Sequence, residues 1–265
     1  VNCSDCYRCV RVCPVNAIRM QDGQAQVISE RCIACGTCIN ECPQQAKAYR
    51  TDYGKVLQMM EDGDMLYLSI APSFVSYYNE WEQLRLASAT RMLGFKYVAE
   101  TAIGAWHTAI ATEEHIKSNP DKTHICSACP ALVSYILQKA PHLNDMIVPV
   151  VSPMVAHGRI LKSKNKNIKV VFVGPCVAKK DEMQMSDNEK YIDAVLTFEE
   201  LDELFRLKNI KIESCEESAF DEAAIGNSRF FPLEGGLLKT ANITTDLLDT
   251  KVIAISGYKN IANAI

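Results

Sequence analysis

The sequence predicts two unlike domains in one chain: a small cysteine-rich α+β domain over residues 1–54, then a larger α/β domain with a largely parallel sheet over 64–265. Three observations predict this. One cysteine spacing occurs twice within the first 43 residues. From residue 64 onward, short apolar runs alternate with helical patterns, the signature of βαβ layers. Finally, 265 residues that are 48% hydrophobic and 23% charged are ordinary globular material with ample core, and no low-complexity linker divides the two regions.

In the first domain, Cys3, Cys6, Cys9 and Cys13 precede Pro14, and Cys32, Cys35, Cys38 and Cys42 precede Pro43, a pseudo-repeat of 29 residues. C-x2-C-x2-C-x3-C-P is the run that ligates [4Fe–4S] cubanes in bacterial two-cluster ferredoxins, so a ferredoxin-like two-cluster domain is expected. Three thiolates of one loop wrap one face of a cubane and the fourth cysteine crosses over. The expected ligand sets are therefore Cys3, Cys6, Cys9 and Cys42 for one cluster, and Cys32, Cys35, Cys38 and Cys13 for the other. Zinc usually takes two separated C-x2-C pairs rather than two runs of four. Disulfides need an oxidising compartment, and no secretory signal is present. Ala25 to Ile28 reads as a strand between the loops. So short a domain buries little apolar surface, so folding and metal binding are expected to be coupled.

The second domain opens with a strand, Met65 to Ala71, ending at Pro72. Trp81 to Leu93 has helical spacing and stops at Gly94. Tyr97 to Ala99 is a strand and Ala105 to Ile116 a helix; Thr123 to Cys126 leads to Cys129-Pro130 and a helix over Ala131 to Lys139. Met154 to Lys162 is helical, with Ser152 as its expected N-cap. Lys169 to Gly174 is the clearest buried strand, and Ala194 to Thr197 another. Thr197 and Glu200 form a capping box for an acidic helix, Phe198 to Leu207. Val252 to Ser256 is the last expected strand.

Charge and hydropathy narrow the partners. A net charge of −4 gives no electrostatic case for nucleic acid. No apolar stretch approaches the roughly 20 residues of a membrane span. Twelve cysteines without a secretory signal imply a reducing, anaerobic cytoplasm. The five histidines have no metal spacing, and Cys126 and Cys215 read as small buried side chains. Cys129 and Cys176 stand apart. Each lies beside a proline where a strand is expected to run out, the place where open α/β sheets collect ligands.

Pro175-Cys176-Val177-Ala178-Lys179-Lys180-Asp181-Glu182 resembles the second signature motif of iron-only ([FeFe]) hydrogenases. Ser127-Ala128-Cys129-Pro130 resembles their first motif, Ala71-Pro72-Ser73 their A-P-S/A stretch, and Ser152-Pro153 their S-P-Q segment. Phe230 to Leu238, with Gly235-Gly236, resembles the turn before their late helix. The resemblance covers nearly the whole chain and implies an iron-only-hydrogenase-like fold for the second domain. It also implies a six-iron H-cluster, a cubane on four cysteines bridged to a two-iron unit with CO and CN ligands. By resemblance, Cys129 and Cys176 are two of those cysteines, and Pro72, Ser73 and Lys179 hydrogen-bond the cyanides and tune the group.

The departures are as informative. The family's third motif, with the other two cubane cysteines, is absent, although Val252 to Ile265 resembles what precedes it. Two thiolates do not secure a cubane, so an H-cluster is expected only if the missing cysteines are supplied, in a fragment of a longer protein or a truncated relative. Ala128 stands where catalytic members carry a proton-shuttling cysteine, Thr112 where they carry a relay glutamate and Val148 where they carry a relay serine. Gly174 replaces a methionine and Met154 a glutamine. These losses resemble the sensory branch, in which a hydrogenase-like domain precedes a signalling module. The expected function is therefore an iron–sulfur electron-transfer protein of sensory type with weak or no hydrogen turnover, partnered by a ferredoxin-like redox protein or a downstream signalling module. The alternatives are a fragment of a catalytic hydrogenase and a cluster-assembly relative. The latter also shows S-A-C-P but lacks the paired cysteine runs.

Overall fold

A computed structural model describes residues 3–185, 187–242, 252–257, 260, 261 and 263. Its first domain repeats itself in backbone as well as sequence. Short helices α1 (Arg8–Val12) and α2 (Thr37–Asn40) each follow a left-handed residue, Tyr7 (φ 58°) and Gly36 (φ 76°). The same 29-residue offset relates left-handed Asp5 to Ala34 and Asn16 to Gln45. A non-glycine side chain costs about 1–2 kcal/mol in this region. Its recurrence at matched places marks a loop shape imposed twice. Strands β1 (Ile18–Gln21) and β2 (Gln24–Val27) form an antiparallel hairpin, Ile18 opposite Val27. Its turn is Asp22-Gly23, both at positive φ, as a tight two-residue hairpin requires.

Helix α3 (Tyr53–Glu61) leads into the second domain. Its sheet consists of β3 (Met65–Ile70), β4 (Tyr97–Glu100), β5 (Ile168–Val173) and β6 (Ala194–Leu196), all parallel, in the order β4-β3-β5-β6. Their near-continuous apolar runs fit strands covered on both faces. The chain builds outward from β3 to β4, then returns to β3's other side as β5. The topological switch point therefore lies between the carboxyl ends of β3 and β5, where such sheets hold ligands. Ala71-Pro72-Ser73 leaves one end and Pro175-Cys176 the other. These exits approach closely: a Cβ on Gly174 would stand 2.9 Å from Ala71 Cβ.

Between β3 and β4 run α4 (Phe74–Tyr77), α5 (Glu80–Gln83) and α6 (Leu86–Leu93), so the single helix expected over Trp81 to Leu93 is two. Asn79 and Glu82 cap α5 as a box, while Gly94 (φ 116°) ends α6. Helices α7 (Ala102–Ser118), α8 (Pro130–Lys139) and α9 (Pro153–Lys164) lie between β4 and β5. Only one parallel bridge, Ile125 to Ile147, stands where the strand before Cys129 was expected. Ser152 is the N-cap residue of α9 but its hydroxyl makes no cap bond. After β5 come α10 (Ala178–Gln184), α11 (Phe198–Leu207) and α12 (Gly236–Thr240). Thr197 and Glu200 close the expected capping box on α11. The last expected strand is not formed. Val252 to Ser256 join neither sheet, and Val252, Ile253 and Ile255 are exposed; an apolar run becomes a strand only beside a free edge to pair with.

The linker between domains is tied down by charge. Lys180, 2% exposed, sets its ammonium 2.7 Å from Glu200 and 3.9 Å from Asp52, and donates to the Val195 carbonyl. Asp52 N–H donates to Glu200 (2.6 Å), and the Tyr49 hydroxyl meets that of Thr197 at 2.8 Å.

Candidate metal centres

Cys3, Cys6, Cys9 and Cys42 line one cavity, with Met20 and Ala25 of the hairpin forming part of its wall. Three come from the first loop and one from the second. Backbone amides point at sulfur in matched places: Ala17 N–H to Cys13 Sγ (3.1 Å) and Ala46 N–H to Cys42 Sγ (3.2 Å), again 29 residues apart, and Ala34 N–H to Cys32 Sγ (3.4 Å). Such donors favour the thiolate, and the Ala46 amide pulls the Cys42 thiol below its ordinary value. Burial acts oppositely on Cys9 and Cys32, and pushes Cys38 up to about 11. Thiols so raised stay protonated at neutral pH until a metal's charge displaces the proton. Among the described residues, no three His, Cys, Asp or Glu side chains close on a single ion. Four cysteines lining one cavity, with backbone amides directed at sulfurs of both runs, are a donor set that fits a cubane.

The second cysteine run faces the larger domain. A Cβ on Gly36 would lie 3.1 Å from Val177 Cγ2, the residue after Cys176. Tyr135 of α8 packs against the small core of Val15, Ala17 and Ile33, together with Cys13 and Cys32. The first-run cavity opens elsewhere, with Cys6 and Tyr7 exposed.

At the switch point, Cys129 is the exposed N-cap residue of α8, and Cys176 is half-buried just before α10. Lys179 joins them, its ammonium 3.2 Å from the Ala128 carbonyl and 2.6 Å from Glu182. Pro72 is buried and Ser73 half-buried at the exit of β3. Burial raises the Cys176 thiol while the Lys179 ammonium lowers it. Ala128 brings only a methyl group and its carbonyl. Thr112 is buried with its hydroxyl donating to the Thr108 carbonyl (2.7 Å), and Val148 and Met154 are buried and apolar. Cys126, read from sequence as structural, lies beside Cys129 and within the field of Lys179. Its C-x2-C spacing to Cys129 was the available signal. Cys215 is buried, its Sγ 3.6 Å from Met92 Sδ, as a small core residue.

Among the described residues no helix is long and apolar enough to cross a membrane. The family model for the iron-only hydrogenase large subunit, C-terminal domain, matches residues 64–264, and that for the 4Fe-4S dicluster domain matches residues 2–46. The chain is 25% identical over 245 residues to the NADP-reducing hydrogenase subunit HndD of Solidesulfovibrio fructosivorans, covering 79% of this chain and 42% of that one. It is 27% identical over 237 residues to a cytosolic Fe-S cluster assembly factor homolog of Schizosaccharomyces japonicus (73% and 46%). With iron hydrogenase 1 of Clostridium pasteurianum it shares 30% over 176 residues (59% and 31%). The chain thus spans less than half the length of these relatives. Among solved structures, the [FeFe]-hydrogenase HydA1 of Chlamydomonas reinhardtii superposes with a TM-score of 0.56 at 19% identity, covering 65% of this chain and 51% of that one, a likeness of fold.

Proposed function

The chain belongs to the iron-only hydrogenase family, and from that premise we propose that it is an electron-carrying iron–sulfur module of sensory type, with weak or no hydrogen turnover. Its first domain would hold two cubanes, one on Cys3, Cys6, Cys9 and Cys42, the other on Cys32, Cys35, Cys38 and Cys13. Such clusters take up and release single electrons. The observation that carries the proposal is the seating of the second cysteine run against Val177 and Tyr135. Those residues belong to the two segments that bear Cys176 and Cys129. The exposed first-run cavity is then the entry for electrons from a ferredoxin-like partner, and the switch point their destination.

Proton delivery is where the chain falls short. Ala128, Thr112 and Val148 give the switch point no titratable group along the path that catalytic relatives use. Cys129, Cys176, Pro72, Ser73 and Lys179 would hold and orient an H-cluster together with two further cysteines. A downstream signalling module would then read the site's redox state. The likeness to cytosolic Fe-S cluster assembly factors favours a second reading, a cluster-assembly relative, against which the paired cysteine runs stand.

The test is hydrogen evolution with a reduced dye, in a form that carries the two further cysteines and the two-iron unit. Positioned acid–base groups contribute about 10²–10⁴-fold, so turnover should be low by that order. Ala128→Cys should recover part of it, and Ala128→Cys with Thr112→Glu more. Unsubstituted turnover equal to that of catalytic hydrogenases would refute the sensory reading.

A further inference from the structure

The repeat of the first domain is broken at one place by a charge. An offset of 29 residues carries Cys13, Asn16 and Ala17 onto Cys42, Gln45 and Ala46, and then carries Ile18 onto Lys47. Ile18 is a buried strand residue opposite Val27. Lys47 is half-buried, and its ammonium donates to the Ala25 carbonyl of β2 at 2.6 Å. That bond ties the tail of the second cysteine loop to the hairpin. It also holds the Lys47 side chain in the wall of the first-run cavity, which Cys3, Cys6, Cys9 and Cys42 line. Arg8 lines the same cavity, but its charge is matched by Glu41, to which it donates twice (2.9 and 2.6 Å). Lys47 is held by a carbonyl, which leaves its charge in place. The field of that charge reaches Cys9 in the first run and Cys38 in the second.

Reduction adds an electron to a core that four thiolates already make anionic. A nearby cation without a counter-charge therefore favours the reduced state and raises the potential. Solvent acts in the same direction at the first run, where Cys6 is exposed, while Tyr135 and Val177 cover the second. We infer that Lys47 sets the first-run cluster at the higher of the two potentials, so that the first electron to arrive rests at the entry. The inference rests on the two-cubane reading above. It divides the two carriers into an electron store and a low-potential relay. A partner of moderate reducing power fills the first, and only a stronger reductant sends an electron on toward the switch point.

The experiment is an EPR-monitored redox titration of the whole chain after anaerobic reconstitution, beside Lys47→Gln, Lys47→Arg and Met20→Lys, with iron content measured for each. Lys47→Gln keeps a donor for the Ala25 carbonyl and removes the charge, and Lys47→Arg keeps the charge. The unsubstituted chain should reduce in two separate steps. In Lys47→Gln the higher step should fall by about tenfold in the reduction equilibrium, about 59 mV for one electron, and the lower step by less. Lys47→Arg should titrate like the unsubstituted chain. Coincident steps in the unsubstituted chain overturn the assignment, as does a higher step that falls no more than the lower one. So does Lys47→Arg titrating like Lys47→Gln, because a residue that only ties the hairpin would not follow charge. Should the Lys47 variants fail to load, Met20→Lys decides. It leaves the Lys47 bond untouched, adds a cation to the same cavity wall, and should raise the higher step by a like amount; an unmoved step overturns the assignment. An unsubstituted iron content well below about eight overturns the two-cubane reading, and this inference with it, whereas about eight irons with unmoved steps overturns the role of Lys47 alone.

Discussion

Removing the Lys180 ammonium should strike the junction between the two domains. In Lys180→Met, the carboxylates of Glu200 and Asp52, 3% and 7% exposed at the side chain, lose a cation 2.7 and 3.9 Å away. Uncovering a buried charge in this way costs about 3–5 kcal/mol. Here the low end applies, because both acids keep other donors. Glu200 still accepts from the Asp52 and Thr197 amides, and Asp52 from the Val195 amide and Arg50. The expected loss is about 3 kcal/mol, equivalent to about 6–12 °C in melting temperature for a chain this size. Urea unfolding of the cluster-loaded protein, followed by the fluorescence of Trp81 and Trp106, measures it. Lys190→Met, which removes a cation from a surface pair with Asp187, serves as reference and should leave the midpoint unchanged. A Lys180→Met midpoint as little changed as that reference would show that water or another cation already serves the two acids.

Other outcomes are equally specific. Cys13→Ser should damage the cluster of the second run and Cys42→Ser that of the first; EPR of each reduced variant would show instead the same-run cluster lost if the ligands do not cross. Burial holds the His157 imidazole at a pKa of about 4 against an ordinary 6.5. The folded state therefore binds fewer protons than the unfolded one below pH 6.5. Stability should fall between pH 6.5 and 4, by about 3 kcal/mol in all, and His157→Gln should flatten that limb of the urea midpoint. Gly104→Ala would drive a Cβ to 2.2 Å from the Pro153 carbonyl where α7 meets α9, and should lower the thermal midpoint by the equivalent of about 2–3 kcal/mol; an unchanged midpoint would show that the helices part freely.

Much of this was legible in sequence because local chemistry set it. The 29-residue cysteine repeat announced a repeated loop, which returns as matched positive-φ residues. The Thr197–Glu200 box and Gly94 marked helix ends that the structure keeps. The β1–β2 hairpin carried its own signal in Asp22-Gly23, and only half of it was read. What escaped depended on distant partners. The break between α5 and α6 falls at Leu84-Arg85, where the Leu84 carbonyl accepts from the distant Ser218 amide (2.9 Å), although the apolar spacing runs on through it. Val252 to Ser256 had the composition of a strand but found no edge. The approach of the Cys176 segment to that of Cys129, through Lys179 and the Ala128 carbonyl, is a contact between distant parts of the chain that no local pattern reports.

The junction also sets an order in time. Tyr49 and Asp52 wait for Thr197 and Glu200, 148 residues later in the chain. At a synthesis rate of about 5–20 residues per second, the cysteine domain leaves the ribosome about 7–30 s before its dock exists. During that interval both cysteine loops are open to iron delivery from every side. Afterwards α8 and α10 close over the second run. The order of synthesis therefore leaves the second run uncovered until Tyr135 and Val177, which pack against it, have been made.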